Sequence, residues 1–434
     1  MTSLLFFAAF IALASGANAQ GTEVLTNLPV YNTPFTYADP SYEVSPKKTD
    51  FTVSKVATWG SLTDWKSKHN SSAFHITEYG TPVSFCPIGN HSFWVTGDVE
   101  VDNTPATMQL FWYYPSYLSV GMSPLHTTNV VSAMDQWLPY NGSDVSFVAW
   151  TDAQFSSYTN PFEQPLTACV PINSTTSIQV WNSYLNLNTE ALGLPSFSQG
   201  SYLVKYTLSD DGKTLTTDRP QKFVNELDTT FTEAGDNGVD LTITGQYLWG
   251  KFAAMKVEDY IYLYALDVSV YSNSTDLMVA RAPVDDVMDS SSWSYYSAST
   301  DTWLTTAPTA TESRKDTLAI YSLPSDIKFA AGTENNAGGS VFYSEYHDAY
   351  LMIFVASDDT TKYIIEYAPS PVGPWSTDRH VLYTDAYHDI TSSIFSVYAF
   401  STPLIGTAQG KELLISTKSK NSVANAIVQK LIFE

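Results

Sequence analysis

Two stretches of the chain carry the same order of features, and this repeat constrains the fold more than any other part of the sequence. The first reads Asp259-Tyr-Ile-Tyr-Leu-Tyr-Ala265, then Leu277-Met-Val-Ala-Arg-Ala-Pro283, then Trp293-Ser294. The second reads Asp348-Ala-Tyr-Leu-Met-Ile-Phe354, then Tyr363-Ile-Ile-Glu-Tyr-Ala-Pro369, then Trp375-Ser376. Both give a turn acid, an apolar strand, a loop, a second apolar strand, Ala-Pro and Trp-Ser. The Ala-Pro pairs lie 86 residues apart and the tryptophans 82 apart. A looser copy starts at Tyr202-Leu-Val-Lys-Tyr206, with Asp210-Asp-Gly212 as its hairpin turn. A period near 80 residues divides the chain into about five units, each able to hold the four strands of a propeller blade.

The rest of the chain agrees with a β fold. Ser92–Thr96, Met108–Tyr114, Val145–Trp150 and Ser177–Trp181 are short runs rich in β-branched and aromatic residues, bounded by turn residues. There is no sustained 3.6-residue periodicity, and the best helix candidate is a weak one at Val284–Met288. The expected fold is all-β, a five-bladed β-propeller over residues 60–434; a two-domain β-sandwich is the alternative. Closing such a ring requires the chain ends to meet. Ala426–Phe433 reads as the last strand and Asp50–Val56 as its partner, which removes the open edges. Residues 20–59 read as an extended N-terminal leader.

Residues 4–14 form an uncharged apolar run, followed by Ala17-Asn18-Ala19, a small-x-small cleavage pattern. The run is short for a membrane span, so residues 1–19 are expected to be a signal peptide and the protein to be secreted. Five Asn-x-Ser/Thr sequons, at Asn70, Asn90, Asn141, Asn173 and Asn273, fit an exported glycoprotein. In an oxidising compartment the two cysteines, Cys86 and Cys169, are expected to form one structural disulfide. Closing so long a loop contributes roughly 4–5 kcal/mol in the chain-entropy model.

Charge excludes several classes. The formal net charge is -23, and from His69 to Val204 there are nine acids and no Lys or Arg. Such a surface repels phosphate backbones and anionic membranes, so no nucleic-acid or membrane partner is expected. Only four arginines are present, Arg219, Arg281, Arg314 and Arg379, too few for the arginine cluster of a sialidase. There is no Gly-x-Ser-x-Gly elbow and no His-Glu-x-x-His zinc motif. No cofactor is expected. Calcium held by axial waters and carboxylates stays open, because acids are abundant and export supplies the ion.

One segment resembles a known family. Tyr363-Ile-Ile-Glu-Tyr-Ala-Pro-Ser-Pro-Val-Gly-Pro-Trp-Ser376 is similar to a blade signature of five-bladed β-propeller glycosidases, in which a strand ending in Ala is followed by a Gly-Pro-Trp-Ser turn. Gly338-Gly-Ser-Val-Phe-Tyr-Ser-Glu-Tyr346 looks like the preceding strand of that unit, and Trp94-Val-Thr-Gly-Asp98 like the strand that opens the first blade. The match is nearest to the propeller family long described as of unknown function, which includes bacterial endo-D-arabinanases. Here Val99-Glu100 stands where that family has a hydroxyl residue after Gly-Asp. The resemblance spans residues 85–434. It implies a glycoside hydrolase acting on a furanoside polysaccharide, with arabinan as first candidate, and it places Asp98 at the axis as base or nucleophile.

Glycoside hydrolysis needs two carboxyl groups facing each other across the scissile bond, one to protonate the leaving oxygen and one to activate water or attack the sugar. In a propeller these come from different blades. The candidates are Asp98, Asp135 in Met-Asp-Gln-Trp-Leu-Pro, and Glu345 in the Glu-x-His pair with His347. Each also has a plain structural role open to it, as a strand-end or turn residue binding backbone N–H groups. Glu100 alternates with Asp98 on one strand face, and Asp152 follows the strand at 145–150. Trp112, Trp137 and Trp249 are the candidate stacking platforms, since indole pairs an apolar face with a hydrogen-bonding edge. The expected partner is a polysaccharide or oligosaccharide, bound by a monomer. A non-catalytic carbohydrate-binding or cell-surface propeller is the competing reading.

Overall fold

The computed structural model describes residues 24–25, 39–61, 75–79, 84–88, 91–96, 99–102, 119–124, 136–137, 160–165, 169–186, 197–218, 225–226, 229–234, 238–243, 249–250, 252–266, 276–308, 318–322, 339–355, 362–378, 380–383, 397–401, 410–418 and 426–434. These are nearly all β. Helix among them amounts to two 3-10 turns, Val284–Asp286 and Ser290–Ser292, and one helical residue at Leu318. The weak helix expected at Val284–Met288 is thus a single tight turn. Pro283 fixes its entry, Val287 keeps helical angles, and at Asp289 the chain is extended. The strands expected at 108–114 and 145–150 lie outside the described residues.

Among the described residues, five antiparallel sheets of four or more strands follow one another along the chain, and two two-stranded ribbons, His75–Tyr79 with Val99–Asp102 and Thr229–Ala234 with Gly238–Ile243, stand apart from them in the pairing. The first orders Ser84–Ile88, His91–Thr96, Ser119–Pro124 and Gln136–Trp137. The second is built on Thr176–Asn186 and Phe197–Leu208, with shorter strands on either side. The third orders Ala253–Val257, Tyr260–Leu266, Asp276–Pro283, Ser294–Ser297 and Thr302–Leu304. The fourth orders Gly339–Ser344, Ala349–Val355, Lys362–Ala368 and His380–Tyr383. The fifth joins Val397–Ser401, Glu412–Lys418 and Ala426–Phe433 to Val53–Ser61. Val53–Ser61 therefore completes the C-terminal sheet, with Val53 opposite Phe433 and Ser61 opposite Ile427, while the earlier strand Val24–Leu25 pairs with Leu215–Asp218 of sheet two.

The sequence repeat is a structural one. Asp259 sits in the hairpin turn joining the first two strands of sheet three, and Asp348 in that of sheet four. Glu258 and Asp348 hold these turns with φ of 50° and 47°. The left-handed region is tolerated best, after glycine, by short polar side chains. Glycine is required at Gly339, where the leading strand of sheet four crosses sheet three. A Cβ there would lie 2.1 Å from the Phe252 ring.

Burial explains why these strands are apolar without a break. Successive side chains point to opposite faces. In Tyr260–Leu266, Ile261, Leu263 and Ala265 pack with Ile178, Val180 and Leu203 of sheet two, while Tyr262 and Tyr264 pack with Tyr350, Met352 and Phe354 of sheet four. In Ala349–Val355 the other face, Ala349, Leu351 and Ile353, meets Leu413, Leu431 and Phe433 of sheet five. Sheets three and four are thus covered on both faces by their neighbours in sequence. The leading strands also adjoin in series: Ser84–Ile88 lies beside Val170–Pro171, then Ala253–Val257, Gly339–Ser344 and Val397–Ser401.

Candidate functional site

Several residues singled out by sequence fall outside the described structure: Asp98, Trp112, Asp135 and Asp152. Their neighbours are placed. Asp98 belongs to the two-residue joint between His91–Thr96 of the first sheet and Val99–Asp102, which pairs with His75–Tyr79. Glu100 lies in that ribbon with Glu78 as its Cα partner. Asp135 precedes Gln136–Trp137, and Trp137 is in register with Gly121. Gln136–Trp137, which follows Asp135 in sequence, is the last strand of the first sheet. Trp249 is 1% exposed and its ring packs 5.1 Å from that of Tyr295. It fills the core between sheets two and three and presents no face to a ligand.

Glu345 and His347 lie in the four-residue turn between Gly339–Ser344 and Ala349–Val355. Glu345 is exposed, and its carbonyl accepts from Asp348 N. His347 is 1% exposed, so the two do not form one solvent-facing acid–histidine pair. Asp348 accepts from Tyr343 Oη at 3.0 Å and pairs with Lys47 Nζ at 2.7 Å, and the Lys47 hydrogen bond holds its carboxyl below the usual range.

A segment of the leader crosses this end of sheets three and four. Asp39 pairs with Lys256 at 2.7 Å, and Tyr42 N donates to Glu258 Oε1 at 3.1 Å. Tyr350 Oη donates to the Ser41 carbonyl at 2.6 Å. Val44 N donates to the Pro369 carbonyl, and Lys47 N to that of His347. The strap then buries Phe51 among the rings of His347, Tyr367, His380 and Phe433.

Beside the strap is a cluster that sequence reasoning did not single out. The Arg281 guanidinium lies 4.3 Å from the Tyr260 ring centre and 4.0 Å from that of Trp303, and Nη1 donates to Tyr262 Oη at 3.3 Å. Strand register puts Arg281 opposite Tyr262. Burial pushes the Tyr262 hydroxyl up to about 12, against the opposing pull of Arg281, so it is a neutral hydrogen-bonding group at any ordinary pH. Asp301, at the next turn, accepts from Tyr296 Oη at 2.6 Å. Fixed ring edges, a guanidinium and the carboxylates of Glu258 and Asp301 are groups that bind hydroxyl-rich molecules by stacking and hydrogen bonding. The signal available in the sequence was the lone Arg inside Leu277-Met-Val-Ala-Arg-Ala, opposite the alternating Tyr260, Tyr262 and Tyr264. No group of three or more His, Cys, Asp or Glu side chains among the described residues is arranged to hold a metal.

A family model described as a domain of unknown function (DUF5005) matches residues 196–430. No curated protein matches the sequence. The structure is similar to that of a protein from Bacteroides ovatus ATCC 8483 described as a candidate hydrolase, with 15% identity and a TM-score of 0.48 over 89% of this chain and 93% of that one. It is also similar to a sialidase of Trypanosoma rangeli, with 9% identity and a TM-score of 0.39 over 82% of this chain and 55% of that one. A third similar structure is the endo-arabinase of Bacteroides thetaiotaomicron VPI-5482, with 9% identity and a TM-score of 0.36 over 82% of this chain and 95% of that one.

Proposed function

The chain belongs to the DUF5005 family, whose model matches more than half of its length, and we propose that it is a secreted glycoside hydrolase built as a five-bladed β-propeller. The observation that carries the reading is the chain-order series of five antiparallel sheets. Their leading strands lie side by side, and Val53–Ser61 completes the last of them. Each sheet is then one blade, and the leading strands line an axial funnel. The unit from Gly338 to Ser376, which resembles the blade signature of propeller glycosidases, is blade four in this count.

The chemistry is O-glycosyl hydrolysis by paired carboxyl groups. Asp98 is proposed as base or nucleophile, because in sequence it follows an aromatic strand and a glycine, a residue type that lets backbone approach a ligand closely. Asp135 and Glu345 are the candidates for the proton donor. The substrate is a furanoside polysaccharide, with arabinan as first candidate, and the net charge of -23 favours an uncharged glycan over a phosphorylated one. The test is a screen of the purified protein on D- and L-arabinans, galactans and cell-wall glycans. Release of reducing ends from a furanoside polymer supports the reading; binding without release points to a carbohydrate-binding propeller instead.

Export is part of the proposal. Ser84–Ile88, which contains Cys86, lies beside Val170–Pro171, which follows the buried Cys169, and this adjacency supports a Cys86–Cys169 bond. Asn173 is exposed at a hairpin tip, where its Oδ1 accepts from Thr175 N at 2.9 Å. Intact mass before and after deglycosylation and reduction should show N-glycans and one bond. Two free thiols in the secreted protein would refute the pairing.

A further inference from the structure

His347 is the one imidazole in the described core that is almost fully buried, and no catalytic reading uses it in that position. Its Nδ1 lies 2.7 Å from the Lys48 carbonyl. A carbonyl only accepts, so Nδ1 carries the proton and Nε2 is left with a bare lone pair. Nε2 is buried and has no hydrogen-bond partner. Around the ring stand Phe51 at 4.8 Å, Phe433 at 4.9 Å and Tyr346 at 5.1 Å. A second proton would create a buried N–H donor with no acceptor, inside a wall of aromatic rings.

The ring also sits where the strap is fastened. Lys47 N donates to the His347 carbonyl, Lys48 accepts from its side chain, and Phe51 lies over its face. Two residues after Phe51 the chain enters Val53–Ser61, the strand that completes sheet five. One titratable ring therefore joins the strap, the turn of sheet four and the last strand.

We propose that residues 41–52 form an acid-released clasp, in which proton uptake at His347 Nε2 frees the Lys48–Phe51 segment from sheets four and five. Burial lowers the basicity of the imidazole in the clasped form. The Lys48 carbonyl works against this, the Lys48 ammonium adds to it, and Asp50 opposes it. Other charged or titratable groups nearby are Glu345, Tyr346 and Asp348 on its own turn, Lys47 on the strap, Lys411 over the Tyr346 ring, and Glu434, whose carbonyl accepts from Tyr346 Oη. His380 touches the other side of Phe51.

The direction follows from linkage. Above the ordinary histidine value near pH 6.5 both forms are neutral and the clasp stays shut. Below it the released form takes up a proton first, so opening rises by at most about tenfold per pH unit. The rise levels off once pH falls through the lower value of the clasped form.

The test is hydrogen–deuterium exchange on the full chain from pH 7.5 to 4.5, expressed as protection factors corrected for intrinsic exchange. Protection in peptides spanning 41–52 and 426–434 is expected to fall within that window, while 260–266 stays protected. His347→Phe, which keeps a ring but takes no proton, should remove the step. His347→Gln, which also keeps an N–H donor for the Lys48 carbonyl, should remove it as well and serves if the Phe variant does not fold. His380→Asn should retain it. Flat protection in the wild type, or a step that survives in the His347 variants, overturns the clasp, as does one that vanishes in His380→Asn.

Discussion

Phe51 shows how single side chains tie this molecule together. It is 3% exposed and meets His347 and Tyr367 of sheet four and Phe433 of sheet five. Truncating such a ring removes its burial energy and leaves a cavity that packed sheets cannot collapse into. Phe51→Ala is expected to cost about 3–5 kcal/mol in denaturant unfolding. A cost below about 1 kcal/mol, typical of a surface site, would mean the strap merely rests on the sheets. None of this was legible in the sequence, where Phe51 sits in an unremarkable Thr-Asp-Phe-Thr. Its partners are about 300 residues or more away along the chain. Arg281 was hidden for a different reason: its partners Tyr260 and Trp303 are near in sequence, but its setting depends on Trp303 folding back over it from another strand.

Elements were more readable than residues, because period-2 burial writes itself into the sequence. Tyr260–Ala265, Leu277–Pro283, Ala349–Phe354 and Tyr363–Ala368 all fall on strands, Asp259 and Asp348 fall in the turns before them, and the Asp210-Asp-Gly212 turn joins Phe197–Leu208 to Leu215–Asp218. The pairing of the chain ends was also visible, since an apolar last strand demands a partner. What failed was the helix at Val284–Met288, where Pro283 and a short loop leave room only for a 3-10 turn. The end pairing carries its own expectation. Removing residues 1–61 leaves Ala426–Phe433 as an open, apolar edge strand, which invites pairing between molecules. The truncated chain is expected to elute as aggregate in size exclusion at concentrations where the full chain is monodisperse. A monodisperse, cooperatively unfolding truncation would show that the strand is not needed for closure.

At the scale of the whole molecule, the five larger sheets among the described residues follow chain order and adjoin at their leading strands, and sheets two to five pack face to face, a scaffold on which function must be supplied by particular side chains. The repeat made the scaffold legible. The site was less so, because paired carboxylates on a propeller come from residues far apart in sequence, and only their positions around the axis identify them. Asp98, Asp135 and Glu345 were chosen as strand-end acids. Asp98 and Asp135 themselves lie outside the described residues, and the strands nearest them in sequence, His91–Thr96 and Gln136–Trp137, belong to one sheet. The central claim is that this scaffold hydrolyses glycosidic bonds through Asp98, and the most direct measurement compares wild type with Asp98→Asn. Both are assayed for reducing ends released from arabinan and related furanoside polymers, and for melting temperature. The expected result is release by the wild type, loss of at least about 10²-fold of that rate in the variant, and melting temperatures that agree. Equal release by both proteins, or a variant that loses its fold rather than its turnover, would contradict it.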